Sequence, residues 1–177
     1  MPVRLLFEDE GRFGRISDTR RCWVPLPHRA VVGQQVVREY LYSVATVCPQ
    51  DGSVVALILP WVDAETMSLF LQHAAAEYSG EFCLMFLDRA AWHCAGALQV
   101  PASMRLLFLP PYSPELNPVE HLWDHLRENY FGNQVFHSLD DVENRLCQAY
   151  RDLFAHPELV RSLTRFEWMN TLPMMSN

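Results

Sequence analysis

Three acidic residues stand where a chain can do chemistry. Asp9 ends an N-terminal strand, Asp88 closes the apolar run Phe82-Cys83-Leu84-Met85-Phe86-Leu87, and Glu120 lies in the first turn of a helix. Ligands bind at strand ends in open α/β sheets. A charge that closes an apolar run must meet water, a cation or a partner. Three carboxylates from separate elements would make a hard, oxygen-rich site suited to Mg²⁺ or Mn²⁺ rather than zinc. Two such ions, roughly 3.5–4 Å apart, can activate a water or a 3′-hydroxyl and stabilise the leaving oxygen of a phosphodiester. Spacing alone leaves the plainer reading open, since acids at strand ends are common.

The element that must deliver Glu120 is Leu109-Pro-Pro-Tyr-Ser-Pro-Glu-Leu-Asn-Pro-Val-Glu-His-Leu-Trp123. Pro110, Pro111 and Pro114 restrict the turn by fixing φ and holding the residues before them extended. Asn117 is expected to be the N-cap and Pro118 the first helical residue, with the helix running to about Asn129. Upstream, strands are expected at 3–9, Val36 to Val47 and Val54 to Leu59, an antiparallel meander whose last turn is Pro49-Gln50-Asp51-Gly52-Ser53. Asp63 caps a helix from Ala64 to about Tyr78. Buried, parallel strands follow at 82–88 and Met104 to Leu109, joined by a short helix from Ala90 to Leu98. Ser138 and Asp141 resemble a capping box that opens a last long helix. The fold class is α/β, a five-stranded mixed sheet (antiparallel meander plus parallel strands) flanked by helices.

The chain of 177 residues is expected to be one domain. No apolar run approaches the roughly 20 residues that span a bilayer, and the N-terminus is too short and too acidic for a signal peptide. Five scattered cysteines without a C-x-x-C pair point to reduced thiols in an intracellular protein. The net charge of −7 argues against indiscriminate nucleic-acid binding, but all 14 basic residues are arginine and they are unevenly placed. Residues 11–38 hold six (Arg12, Arg15, Arg20, Arg21, Arg29, Arg38) against Asp18 alone, so this stretch carries +5 and the rest −12. It reads as an arm that contacts phosphates or as a solvated loop.

Three motifs in order carry a family resemblance: Phe7-Glu8-Asp9-Glu10-x-Arg12-Phe13, Leu87-Asp88-x-Ala90-x-x-His93, and the proline-rich stretch from Leu109 to Trp123. Together they resemble the DDE catalytic domain of transposases of the mariner superfamily, with the bacterial insertion sequence 630 group as the nearest branch. The resemblance runs from Leu5 to about Leu172. It implies an RNase H-like fold over residues 1–177, cleavage of DNA at transposon ends dependent on Mg²⁺ or Mn²⁺ (two ions), and strand transfer into a target. Asp9, Asp88 and Glu120 match the three metal-binding acids. The 31 residues between Asp88 and Glu120 are slightly fewer than in that superfamily, a shortening assigned to the loop around Val100 to Ser103. His93, Arg89, Arg12 and Asn117 are candidates for supporting the ligands or touching DNA. Arg89 replaces the Asn or Gly of many relatives and would either pair with Asp88 or reach a phosphate. Relatives place helix-turn-helix units before the first catalytic strand. The expectation is therefore a catalytic half completed by a helix-turn-helix partner chain from an upstream frame, or a decayed fragment. A homodimer acting in the bacterial cytoplasm, on the nucleoid, fits the same picture.

Other residues carry plainer expectations. Glu8 and Glu10 alternate to the strand's other face and are expected to be exposed or structural. Glu115 precedes the helix and is a weaker third ligand than Glu120; Asp124 is expected to face solvent. His121 and His125 have zinc-protease spacing, but Leu122 occupies the place of the required glutamate. Trp123 is expected in the core and Tyr112 either packs the turn or touches DNA; Trp23 and Trp92 could stack on bases, with burial the default for large aromatics. The stretch Arg161, Arg165, Phe166, Trp168 would cover the domain or meet a second subunit. Two further functional readings stay open: a non-catalytic regulatory subunit paired with a DNA-binding protein, and a nuclease of RNA–DNA hybrids.

Overall fold

The computed structural model describes residues 1–167 and 169. Five strands form one sheet in the order β3-β2-β1-β4-β5. Strands β1 (Val3–Ile16), β2 (Val36–Val47) and β3 (Val54–Leu59) are antiparallel neighbours. Strands β4 (Phe82–Leu87) and β5 (Met104–Phe108) run parallel to β1. The expected mixed sheet is therefore present, with β1 in its middle.

Alternation along β1 divides the core into two layers. Leu6 faces Met67, Phe70, Leu71 and Ala74 of α1 (Ala64–Glu77). Phe7 and Phe13 face the layer of α2 (Val119–Leu126), α3 (Leu139–Ala155) and α4 (Pro157–Thr164). Both predicted capping devices form: Asp63 with Thr66 opens α1, and Ser138 with Asp141 opens α3. Gly11 lies where β1 passes beneath α2. A Cβ there would come within 2.8 Å of the Phe13 ring and 3.0 Å of the Trp123 ring, so glycine allows the tryptophan to sit on the strand.

Several expectations are corrected. Strand β1 continues past residue 9 to Ile16, pairing with β2 along that extension. No helix forms over Ala90 to Leu98, where isolated turns close from Ala90, Trp92 and Ala95 instead. Trp92 and His93 turn instead to Glu10 and Glu8 on β1. Helix α2 starts at Val119, with Pro118 at the boundary, and gives way to a π-helical turn at Arg127–Phe131 that directs Phe131 into the core. Helix α4 was not expected. It begins at Pro157 and buries Val160. Trp168 and Leu172 lie outside the described residues. All five cysteines are free. Among the described residues, no helix is long and apolar enough to cross a membrane.

Candidate metal-binding active site

Asp9, inside β1, and Asp88, just past the end of β4, stand level on adjacent parallel strands. Phe7 pairs with Phe86, and their rings stack at 5.0 Å; each aspartate lies two residues further on. The Trp123 indole Nε1 donates to Asp9 Oδ2 at 2.9 Å, so α2 orients this carboxylate directly. Burial and the neighbouring Glu120 charge push Asp9 from 3.8 up to about 7, against the opposing pull of the Trp123 hydrogen bond.

Asn117 sets the position of Glu120. Its Nδ2 donates to the Glu8 carbonyl oxygen at 2.8 Å and its Oδ1 accepts from Val119 N at 3.2 Å. Its own carbonyl accepts from Glu120 N at 3.2 Å. A buried side chain thus joins the start of α2 to β1 one residue from Asp9. Asn117 still meets an orphan helix amide, as expected of a capping residue, but it also reaches across to another element.

Asp88 is exposed, and its Oδ1 accepts from Ala90 N at 2.8 Å. His93 Nδ1 lies 3.0 Å from the same oxygen and 3.2 Å from the Asp88 carbonyl. His93 is itself buried, with Nε2 3.0 Å from Glu10 Oε1 and 3.3 Å from Glu8 Oε2. Burial lowers the histidine's pKa, but Glu10 and Asp88 outweigh it, leaving the imidazole raised. The expectation for Glu8 needs refinement. It is on the face opposite Asp9, but it is fully buried, and neither carboxylate oxygen has a hydrogen-bond partner. Burial first, then the charges of Glu10, Asp9 and Asp88, hold its pKa well above the usual carboxylate range. Glu10 accepts from Trp92 Nε1.

The remaining candidates are spread around this centre. Arg89 does not pair with Asp88; its guanidinium lies 5.1 Å from the Phe108 ring centroid. Arg12 lies over Tyr40 at 5.1 Å. In the arginine-rich stretch, Arg15 pairs with Glu39 and Arg20 with Asp18. Trp23 and Tyr112 are fully exposed, not packed. Tyr112 has φ of +56°, in the left-handed region. Asp124 is exposed as expected, and Glu115 is exposed as well. Phe166 meets the His121 ring at 5.0 Å, so this part of the C-terminal stretch packs on α2.

The donor set fits a divalent cation. Asp9, Asp88 and Glu120 are all carboxylates, and among the described residues no arginine pairs with any of them. Sequence reasoning missed the indole donor on Asp9 and the Asp88–His93–Glu10 chain of contacts. The i, i+2 spacing of Glu8 and Glu10 was the signal for their shared face. Nothing in the sequence placed His93 against it.

The family model for DDE superfamily endonuclease matches residues 4–143. The chain is 37% identical over 130 residues to the uncharacterized protein y4pE/y4sA of Sinorhizobium fredii, which covers 73% of this chain and 96% of that one. The fold is similar to the catalytic domain of Mos1 mariner transposase, with TM-score 0.56, 16% identity, and coverage of 91% of this chain and 80% of that one. The Mos1 strand transfer complex aligns with TM-score 0.60 at 19% identity over 92% of this chain, which spans 55% of the Mos1 chain. The sheet and its flanking helices are those of RNase H-like catalytic domains. The family match covers most of the chain, including Asp9, Asp88 and Glu120: this protein belongs to the DDE superfamily endonucleases.

Proposed function

We propose that this chain is the catalytic domain of a transposase that cuts DNA at transposon ends and joins them to a target. The observation that carries the reading is the level placement of Asp9 within β1 and Asp88 just past the end of β4, each two residues beyond the paired Phe7 and Phe86. Asp9, Asp88 and Glu120 would hold two divalent ions, Mg²⁺ or Mn²⁺, which supply activation of the attacking oxygen and charge neutralisation at the leaving oxygen. Solved Mos1 paired-end complexes with Mn and with Mg support that choice of metal.

The protein's own groups do the positioning. Trp123 orients Asp9, Asn117 sets the start of the helix that carries Glu120, and His93 holds Asp88 at its Oδ1. Arg89 and Arg12 are exposed cations on the elements carrying Asp88 and Asp9, suited to DNA phosphates. Tyr112, exposed in the turn before α2, is suited to stacking on a base. Terminal-repeat recognition would come from helix-turn-helix units, and paired ends call for a homodimer. Action on the nucleoid of a bacterial cytoplasm follows from the same reading.

The test is Mn²⁺-dependent nicking of supercoiled plasmid DNA by the wild-type chain and by Asp88→Asn. Nicking that needs Mn²⁺ and falls at least about 100-fold in the variant, with an unchanged circular-dichroism spectrum, is the expected result. Undiminished nicking by Asp88→Asn would remove Asp88 from the site. A wild-type chain inert both alone and with its partner would favour the regulatory-subunit reading.

A further inference from the structure

We propose that Glu8, Glu10 and His93 bind one transition-metal dication, zinc or manganese, in a buried site on the face of β1 opposite Asp9. One carboxylate oxygen from each glutamate and an imidazole nitrogen lie within 4.8 Å of one another. Proximity of acids alone would mean little, but the hydrogen bonding here is incomplete in a particular way. Both Glu8 oxygens and His93 Nε2 are fully buried and have no hydrogen-bond partner. Nε2 comes within 3.0 Å of Glu10 and 3.3 Å of Glu8, yet neither approach has the geometry of a hydrogen bond. Leaving a buried acceptor unsatisfied costs roughly 1–3 kcal/mol, and more for a charged group. No arginine pairs with Glu8 or Glu10 among the described residues, and the charges that reach Glu8 most strongly, those of Glu10, Asp9 and Asp88, are all negative.

The histidine's other edge completes the case. Nδ1 faces two oxygens of Asp88, one of them a backbone carbonyl that can only accept. The first ring proton therefore sits on Nδ1, and a cation at Nε2 would replace the second proton that the neighbouring carboxylates favour there, using the lone pair that faces Glu8 and Glu10. A metal-bound histidine ordinarily donates its second N–H to a carboxylate or carbonyl in this manner. One imidazole and two carboxylates suit zinc or manganese better than magnesium, which prefers oxygen alone. Trp92 steadies Glu10 through its indole N–H. The ion would tie β1 to the segment after β4 and hold Asp88 from behind. Its role would be structural, and it would be separate from any ions held by Asp9, Asp88 and Glu120.

The test uses the Asp9→Asn/Glu120→Gln double variant, which disables the site on the other face and keeps the Asp88 acceptor. The protein is exposed to Zn²⁺ or to Mn²⁺ alone, desalted, and its bound metal counted by mass spectrometry. Co²⁺ substitution then reports nitrogen ligation by its visible spectrum. One retained ion per chain is expected, with affinity lowered at least about tenfold on adding Glu8→Gln, and a Co²⁺ spectrum that changes with His93→Gln. If Glu8→Gln fails to fold, Glu10→Gln carries the same expectation. A double variant that retains no ion, or an affinity untouched by these substitutions, overturns the site. Plasmid nicking by the wild-type chain would still stand in that case, so the two readings fail separately.

Discussion

The Trp123 indole N–H points at Asp9 Oδ2 from 2.9 Å, while its ring packs on Gly11 and lies edge-on to Phe13. One side chain thus joins the hydrophobic layer under α2 to a carboxylate on β1. Trp123→Phe keeps an aromatic ring and removes the donor. Loss of the hydrogen bond and of part of the indole volume should lower stability by about 1–3 kcal/mol, read by urea denaturation. The hydrogen bond favours the ionised carboxylate, so without it Asp9 is harder to ionise. The pH at which the protein half-binds Mn²⁺ should then move upward. An unmoved midpoint would mean the indole orients nothing.

Asp9 gives the metal-free protein a stability profile with a definite sign. Its folded-state value of about 7 lies above the ordinary 3.8, so the folded state binds the proton more tightly than the unfolded state does. The stability associated with that proton is fully present below about pH 4 and is lost as pH rises to about 7. At most about 4 kcal/mol is involved. Asp9→Asn removes the charge and leaves an oxygen for Trp123. Without metal, the variant should melt higher than the wild type at pH 8, and its advantage should shrink as pH falls toward 4. A difference independent of pH would show that Asp9 is not held up by burial and Glu120.

What the sequence made legible follows from the range of the forces involved. Val36–Val47 and Val54–Leu59 have the predicted boundaries, because alternation and a turn rich in Pro, Asp and Gly act locally. Asp88 and Glu120 sit at the element ends that marked them, whereas Asp9 lies inside β1, which runs on to Ile16. Local signals failed where a distant partner decides. Residues 90–98 carry helix-compatible side chains, yet His93 and Trp92 turn toward Glu8 and Glu10, more than eighty residues earlier in sequence. Alternation placed Glu8 on the opposite face but could not say that His93 would be packed against it. Trp23 shows the reverse error: its size argues for burial, but the loop between β1 and β2 extends away from the core, leaving it fully exposed.

Asn117 offers a test of how far α2 depends on β1. Asn117→Ala leaves the Glu8 carbonyl oxygen and the Val119 amide without their side-chain partner, in a buried place. A loss of about 1–3 kcal/mol in chemical denaturation is expected. Metal affinity should fall as well, because Glu120 is carried on the turn that Asn117 secures. Ser at this position keeps a short acceptor for Val119 but cannot reach Glu8. Asn117→Ser should therefore recover part of the stability and little of the metal affinity. Equal recovery of both would make Asn117 a helix cap and nothing more.

Arg4 binds the lower end of the sheet together. Its Nε and Nη2 donate to Glu81, just before β4, and its Nη1 donates to Asp51 and Ser53 in the turn between β2 and β3. Although burial works against it, hydrogen bonds from Arg4 and Ser53 bring Asp51 from 3.8 down to about 2. The folded state therefore favours the ionised form. The stability from this group is present above about pH 4 and is lost as pH falls toward 2, the opposite direction to Asp9. Asp51 is about half exposed, so solvent screening keeps its contribution within about 1 kcal/mol. Asp51→Asn should lower the melting temperature at pH 6 by a few degrees and leave it nearly unchanged at pH 2. The Asp9→Asn difference, by contrast, grows as pH rises from 4 to 7 and stays large at pH 8. Melting curves for the two variants across this range would separate the carboxylate that fastens the sheet from the one whose charge the fold leaves uncompensated.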